Sequence, residues 1–174
     1  MSDFNVAFNK VMAYEGGYAN DSSDRGGETY AGVARNFWPE WDGWAIIDEL
    51  KDTAGFPANL VKSTVLSIHV REFYKANFWG RYGEVNSQRL ATSLFDCAVN
   101  CGIAPANRMM QRALNIPDDG VFGKQSIKCI NEADETATLA NFNAEREKYY
   151  RGIVERNPSQ GKFLAGWLKR LDIG

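Results

Sequence analysis

The stretch SQRLATSLFDCAVNCG, residues 87–102, carries the clearest structural signal in the sequence. Its apolar side chains recur with the spacing of one helix face, so it predicts an α-helix over residues 87–100. Gly102 ends this helix, and Pro105 can begin the next one. The apolar positions that define the face are Leu90, Leu94, Ala98 and Cys101.

Helical spacing also dominates the rest of the chain. A first helix can begin at Ser2 or Asp3 and must stop at Gly16-Gly17, which places Glu15 in its last turn. Residues 18–28 are predicted to form a hydrated loop, and residues 29–44 a short strand pair or irregular turns. The expected fold class is therefore mainly α, with a small irregular or β element. The remaining helices are predicted over residues 59–78, 106–114, 125–133, 135–154 and 161–171.

Bulk properties limit the functions that are open to the chain. Its 174 residues suit one compact domain, or a main lobe with a small appendage. The formal net charge of −2 argues against a nucleic-acid binder. No segment approaches the ~20 apolar residues of a membrane span, and the N-terminus lacks the pattern of a signal peptide. We expect synthesis in the cytoplasm, so a substrate outside the membrane would require a separate route of release.

Metal or cofactor chemistry has little support in the sequence. The three cysteines, Cys97, Cys101 and Cys129, form no CxxC motif, and His69 is the only histidine. We interpret the cysteines as reduced, mostly buried thiols and His69 as a packing residue. No metal site and no cofactor are predicted.

A candidate catalytic carboxyl stands at the end of the first helix. Cleavage of a glycosidic bond requires a carboxylic acid that protonates the leaving oxygen, often with a second carboxylate opposite. Glu15 precedes two glycines that allow close approach of a substrate, and Asp21 and Asp24 follow in the same polar loop, with Thr29 just beyond. A glutamate before Gly-Gly is also common on protein surfaces, so these residues alone leave both interpretations open.

An ordered series of motifs along nearly the whole chain resembles the family 108 glycoside hydrolases. The tetrapeptide Glu15-Gly16-Gly17-Tyr18 is weakly specific alone, whereas the series is highly specific. The further matching positions are Asn20-Asp21, Asp24, Gly26-Gly27, Thr29, Gly32, the run from Tyr74 to Trp79, the run from Leu94 to Gly102, Gln111 to Leu114, Asp119 to Gly123, Arg146, Tyr149-Tyr150, Pro158, Phe163 and Gly166 to Leu168.

This family comprises N-acetylmuramidases of bacteria and their phages, including proteins called secretion activators. The resemblance implies a lysozyme-like helical domain that cleaves the β-1,4 bond between N-acetylmuramic acid and N-acetylglucosamine. It implies that Glu15 is essential, that residues 1–104 form the catalytic region, and that residues 105–174 form a peptidoglycan-binding-like region packed on it. Tyr30 stands where the family commonly has Asn, which departs from its pattern of polar contacts.

The remaining site residues are weaker predictions. Glu15 and Asp24 share the Glu-to-Asp spacing of a different family, the phage-type lysozymes, so we assign Asp24 to water positioning or charge stabilisation with help from Thr29. Asp21 belongs to the same acidic loop. Four further side chains are candidates for substrate binding, and each has an alternative in packing or in bracing of helix ends: Tyr18, Trp79, Asp96 and Asn100.

Three functions remain to be distinguished: a muramidase, a lytic transglycosylase, and a non-catalytic wall-binding or secretion-accessory module. The expected partner is bacterial peptidoglycan, with a holin or an export system as the route to it. The chain would then be a phage or prophage endolysin, or a muramidase that assists secretion, and it would act on the wall in the periplasm after release.

Overall fold

The computed structural model describes residues 1–14, 16–21 and 26–173, and it is mainly α-helical, as predicted. Short 3-10 turns cover Leu60–Lys62, Gly80–Glu84, Pro158–Gln160 and Arg170–Ile173, and one π-helical turn covers Lys75–Trp79. The α-helices in the described part of the chain are α1 (Phe4–Met12), α2 (Gly43–Lys51), α3 (Thr64–Tyr74), α4 (Gln88–Cys101), α5 (Ile103–Ala113), α6 (Lys124–Glu132), α7 (Glu135–Arg156) and α8 (Gly161–Lys169). No helix among these residues is both long and apolar enough to cross a membrane.

The chain divides into two compact units. Unit 1 comprises Met1–Val11 and Phe78–Gly174, and unit 2 comprises Met12–Asn77. Unit 1 contains α4 to α8 and nearly all of α1, whereas unit 2 contains the β-sheet, α2 and α3.

Helix α4 is the central element of unit 1. Ser87 caps its start by accepting a hydrogen bond from the Leu90 amide at 3.1 Å, and Gly102 ends it with φ of 92°. Every residue from Leu90 to Ala98 is buried, because α5 and α7 both pack against this helix. The sequence predicted one buried face. The rest of the helix surface, which includes the polar Thr92, Ser93 and Asp96, is also covered, and hydrophobic spacing did not reveal this.

Helix α1 is shorter than predicted. Its buried residues Phe4, Ala7, Phe8 and Val11 follow helical spacing, and the Asp3 carboxylate accepts a hydrogen bond from the Asn5 amide at 2.7 Å near its start. The helix ends at Met12 and a turn follows at residues 13–14, before the two glycines that were expected to stop it. The predicted position of Glu15 in the last helical turn falls on a residue outside the described ranges.

Unit 2 contains a three-stranded antiparallel sheet in the order β1 (Tyr18–Asn20), β2 (Glu28–Tyr30) and β3 (Val33–Ala34). The predicted strand pair is present as β2 and β3. The predicted loop over residues 18–28 is wrong at both ends: its first three residues form β1, and its last residue is the first of β2. Ala31 and Gly32 connect β2 to β3 with φ of 46° and 80°, as a two-residue hairpin turn requires.

Helix α2 occupies residues for which the sequence predicted turns or no helix. Its buried residues are Gly43, Trp44 and Ile47, and it packs against α3. Three tryptophans and a proline between residues 38 and 44 hid the beginning of the helix, because they supply no clear helical period. Helix α3 is shorter than the predicted 59–78 because Ser63 caps its first turn and the last turn is π-helical.

Candidate active site

The two carboxylates that the sequence assigns to catalysis, Glu15 and Asp24, lie outside the described residues. The backbone next to the first of them is described. Gly16 and Gly17 are exposed, and among the described atoms none lies within 4 Å of the position that a Cβ would take at either glycine. The described atoms therefore leave open space beside these two glycines.

Strands β1 and β2 fix the chain on either side of the acidic loop. Tyr18 lies opposite Tyr30, Ala19 opposite Thr29, and Asn20 opposite Glu28. The half-buried Thr29 therefore sits in the middle strand, where its hydroxyl donates to the Gly27 carbonyl at 3.3 Å. The pairing holds the two ends of the loop that carries Asp24 at a defined register.

A charged cluster surrounds Glu28, whose side chain is only 9% exposed. Its carboxylate accepts hydrogen bonds from the Tyr18 hydroxyl at 2.9 Å and from Arg35 at 2.5 Å, and it pairs with Lys51 at 2.7 Å. Arg35 and Lys51 both continue to the Asp48 carboxylate, at 2.9 Å and 2.8 Å. The cluster joins β1, β2 and the residue after β3 to helix α2.

The cluster keeps Glu28 ionised. Burial alone would raise the pKa of this carboxyl, but hydrogen bonds from Lys51, Arg35 and Tyr18 outweigh burial and lower the pKa below its usual value. The same two cations hold the pKa of Asp48 well below its usual range. An ionised carboxylate with three donors is a poor proton donor at neutral pH, so Glu28 acts as a structural anchor for the strand that carries Thr29.

Sequence reasoning did not identify Glu28. In the sequence it stands only at the end of the predicted loop over residues 18–28. The cations that pair with Glu28 come from a position beyond β3 and from the end of α2, the helix that was not predicted. Without α2, nothing in the sequence indicated that Lys51 returns to β2.

Tyr18 and Asp21 flank β1 in different ways. The Tyr18 hydroxyl donates to Glu28, and its half-buried ring packs edge-on against Phe56 at a centroid distance of 4.7 Å. Asp21 is exposed directly after the strand. Tyr30, which departs from the family pattern, is only 8% exposed and belongs to the core of unit 2.

Trp79 belongs to the core of unit 1. Its ring contacts Phe4 and Phe95 edge-on, at centroid distances of 5.7 Å and 5.6 Å, and the residue is 7% exposed. Stacking on a sugar requires an exposed aromatic face. The buried ring of Trp79 has no such face, so it does not fit the predicted stacking.

Asp96 is fully buried in a network of side chains within unit 1. Its carboxylate binds Arg146 at 2.5 Å and Arg170 at 2.7 Å, and Arg146 also donates to Ser93 at 3.1 Å. These contacts join α4 to α7 and to the C-terminal 3-10 turn. For Asp96 these contacts correspond to bracing of the helices, which the sequence left open as the alternative to substrate binding.

Asn100 lies one helical turn beyond Asp96 and is exposed, so the two side chains have different environments. Cys97, Cys101 and Cys129 are free thiols, of which Cys97 is buried. Within the described ranges, no three His, Cys, Asp or Glu side chains are close enough to share a metal ion.

Comparison with known proteins adds the family to this geometry. The sequence profile described as Glycosyl hydrolase 108 matches residues 8–102, and the profile described as Predicted Peptidoglycan domain matches residues 105–172. Together with the mainly α fold, these matches define a glycoside hydrolase that acts on peptidoglycan. The chain belongs to glycosyl hydrolase family 108.

A solved structure shares the fold. The structure titled "Structure of Brucella abortus SagA" is similar with a TM-score of 0.68 and 20% sequence identity, and the match covers 97% of this chain and 88% of that chain. No curated protein matches the chain. At this identity the structural match supports the fold.

Proposed function

We propose that the chain is an N-acetylmuramidase that hydrolyses the β-1,4 bond between N-acetylmuramic acid and N-acetylglucosamine. Glu15 is the general acid that protonates the leaving oxygen. The observation that carries this proposal is the position of Glu15 inside the glycoside hydrolase match over residues 8–102, directly before two exposed glycines. A general acid must reach the glycosidic oxygen, and a backbone without side chains beside it permits that approach.

The proposed second group is Asp24, which positions water or stabilises the positive charge that develops on the sugar ring, assisted by Thr29. The described strands support this role, since β1 and β2 pair at a fixed register on either side of the segment that contains Asp24.

The first prediction concerns Glu15. Glu15→Gln keeps the size of the side chain and removes the proton, so hydrolysis of purified sacculi should fall by roughly 10²–10⁴-fold. The measurement is the release of new reducing ends, with circular dichroism to verify the fold. The matched control is Glu49→Gln, an exposed acid on α2 in the same unit, which should keep wild-type activity. Activity near wild type in Glu15→Gln would remove Glu15 from the mechanism.

The fragments distinguish the three candidate functions. Hydrolysis leaves a reducing N-acetylmuramic acid that carries the added water, which mass spectrometry detects. A lytic transglycosylase releases 1,6-anhydro sugars instead, without that water. A protein that sediments with sacculi but releases no fragments is a wall-binding module, and this result would contradict the enzymatic proposal.

The division of labour along the chain is also a proposal. Residues 1–104 would carry catalysis, and residues 105–174 would bind peptidoglycan beside it. A holin or an export system would provide access to the wall, which fits either a phage or prophage endolysin or a muramidase that assists secretion. Substrate binding by Tyr18, Asp21 and Asn100 belongs to the same proposal, whereas the buried Trp79 and Asp96 contribute to packing.

A further inference from the structure

A groove of about 490 Å³ opens on unit 2, and its described lining contains none of the site residues assigned above. We call it the aromatic groove and define it by Phe37, Trp38, Glu40, Trp41, Asp42 and Glu72. Its volume lies within the roughly 300–1,000 Å³ of typical small-molecule sites. The defining residues come from the segment between β3 and α2 and from helix α3.

Two of its rings remain accessible to a ligand. Phe37 is 59% exposed and Trp38 is 40% exposed, although both are large apolar side chains. Exposed aromatic rings gathered in a concavity are typical of binding sites, whereas isolated exposed rings need no explanation.

The rings are held in place before any ligand arrives. Phe73 forms the floor of the groove and contacts Trp38 and Trp41 edge-on, at centroid distances of 4.9 Å and 6.0 Å. The Trp41 indole donates to the His69 carbonyl at 3.4 Å. A Cβ at Gly43 would lie 2.3 Å from the Trp41 ring, so the ring occupies space that only glycine leaves free. A rigid aromatic platform binds with a smaller loss of entropy.

The charge of the groove is acidic. Glu40, Asp42 and Glu72 line it, and none of the described lysines or arginines does. Among the residues that the structure describes, these three carboxylates form no ion pair, so their oxygens can accept hydrogen bonds from a ligand. Such a groove repels carboxylate and phosphate groups and suits a ligand that offers hydroxyl or amide donors around an apolar ring.

We propose that the aromatic groove is a carbohydrate subsite for uncharged N-acetylhexosamine units of a glycan chain. The sugar ring would stack on Trp38 and Phe37, and its hydroxyl and acetamido N–H groups would donate to the three carboxylates. The inference rests on the proposed function, which supplies the class of polymer. It adds a place where the chain grips that polymer by its neutral sugars, away from the anionic groups of the peptide stems.

Binding of tri-N-acetylchitotriose to the full chain tests the proposal without using activity. Isothermal titration calorimetry should show binding that Trp38→Ala weakens roughly 5- to 10-fold, while Trp38→Phe retains most of it because the aromatic face remains. In an NMR spectrum of the indole N–H groups, Trp38 and Trp41 should shift on titration, whereas Trp167 in unit 1 should not. Val61→Ala, which removes an apolar side chain that is 76% exposed elsewhere on unit 2, should bind as the wild type.

The competing occupant is a cation, and the deacetylated trisaccharide, which carries protonated amines, tests for it. If the groove binds neutral sugar, tri-N-acetylchitotriose should bind almost equally in low and high salt, since screening acts on charges. Binding of the deacetylated sugar alone, with loss at high salt, would overturn the proposal, as would wild-type affinity in Trp38→Ala. The two proposals can fail independently. Glu15→Gln tests hydrolysis, and this variant should bind tri-N-acetylchitotriose as the wild type does.

Discussion

At the scale of single residues, Glu28 shows how one carboxylate can organise a hairpin. Its partners come from β1, from the residue after β3 and from the end of α2, so a single side chain joins three parts of unit 2 to β2. The two cations are about 30% exposed, and the carboxylate is nearly buried. Pairs in such an intermediate setting contribute more than surface ion pairs and less than fully buried ones.

Glu28→Gln should therefore destabilise the protein by about 1–2 kcal/mol. The amide keeps the shape of the side chain and can still accept a hydrogen bond from Tyr18, but it gives Arg35 and Lys51 no negative partner on β2. Urea unfolding followed by tryptophan fluorescence measures the loss. Glu49→Gln provides the matched control, with an expected change of less than about 0.5 kcal/mol.

The same substitution has a defined pH dependence. Because the pKa of Glu28 is lowered in the folded state, its stabilising contribution is complete above the ordinary value of 4.5 and is lost as the pH falls through the lowered pKa. The difference in unfolding free energy between wild type and Glu28→Gln should be constant near pH 7 and shrink below pH 4.5. A difference that stays constant to lower pH would show that the charge of Glu28 contributes nothing.

At the scale of elements, the hairpin between β2 and β3 contains an unfavourable backbone. Ala31 adopts φ of 46°, which side chains on L-residues disfavour. Its carbonyl accepts a hydrogen bond from the Tyr74 hydroxyl on α3 at 2.8 Å, and this bond helps to hold the turn. The turn therefore depends on tertiary contacts as well as on its own residues.

Ala31→Gly should stabilise unit 2 by up to about 1 kcal/mol, since glycine adopts positive φ without a Cβ clash. The gain is reduced by the greater freedom of glycine in the unfolded chain. Thermal unfolding measures the change, and Ala31→Val should have the opposite sign. A decrease in stability for Ala31→Gly would mean that the turn has no positive-φ cost to relieve.

Helices α4 and α7 illustrate a different kind of connection, through buried charge. Asp96 accepts from two arginines, one on α7 and one in the C-terminal turn, and Arg146 is fully buried. Removal of this carboxylate should be strongly destabilising, because the two arginines cannot lose their charge by deprotonation and would remain buried without a negative partner.

Asp96→Asn should destabilise unit 1 by about 3–5 kcal/mol, the cost typical of a buried charge that loses its partner. Calorimetric melting of the purified variant measures the effect, with the exposed Glu132→Gln on α6 as the control. A replacement of all three charged side chains by apolar ones should recover part of the loss. A change of less than about 1 kcal/mol in Asp96→Asn would contradict the bracing role.

At the scale of the whole molecule, the sequence predicted what local spacing controls. The helices around Leu90 and Phe142 were predicted, and caps and apolar spacing agree there; the helix around Asn107 was predicted although it has no side-chain cap. Helix α2 was not, since its partners lie on α3 and its beginning is crowded with tryptophans. The sequence left a bracing role open for Asp96, but its two arginine partners and the Lys51 partner of Glu28 were beyond prediction, because they are distant in sequence. Family motifs indicated the catalytic region, but no motif marked the aromatic groove.

The discontinuity of unit 1 has a consequence for biogenesis. The Ser2 hydroxyl donates to the Val85 carbonyl at 2.5 Å, across 83 positions of sequence, and Phe4 contacts Phe95. During translation, the first helix leaves the ribosome long before these partners are made, whereas all of unit 2 is synthesised in between. Residues 12–77 can thus begin to fold before the first helix has its partners. Packing of the first helix against residues 85–95 should therefore be a late and comparatively slow step of folding.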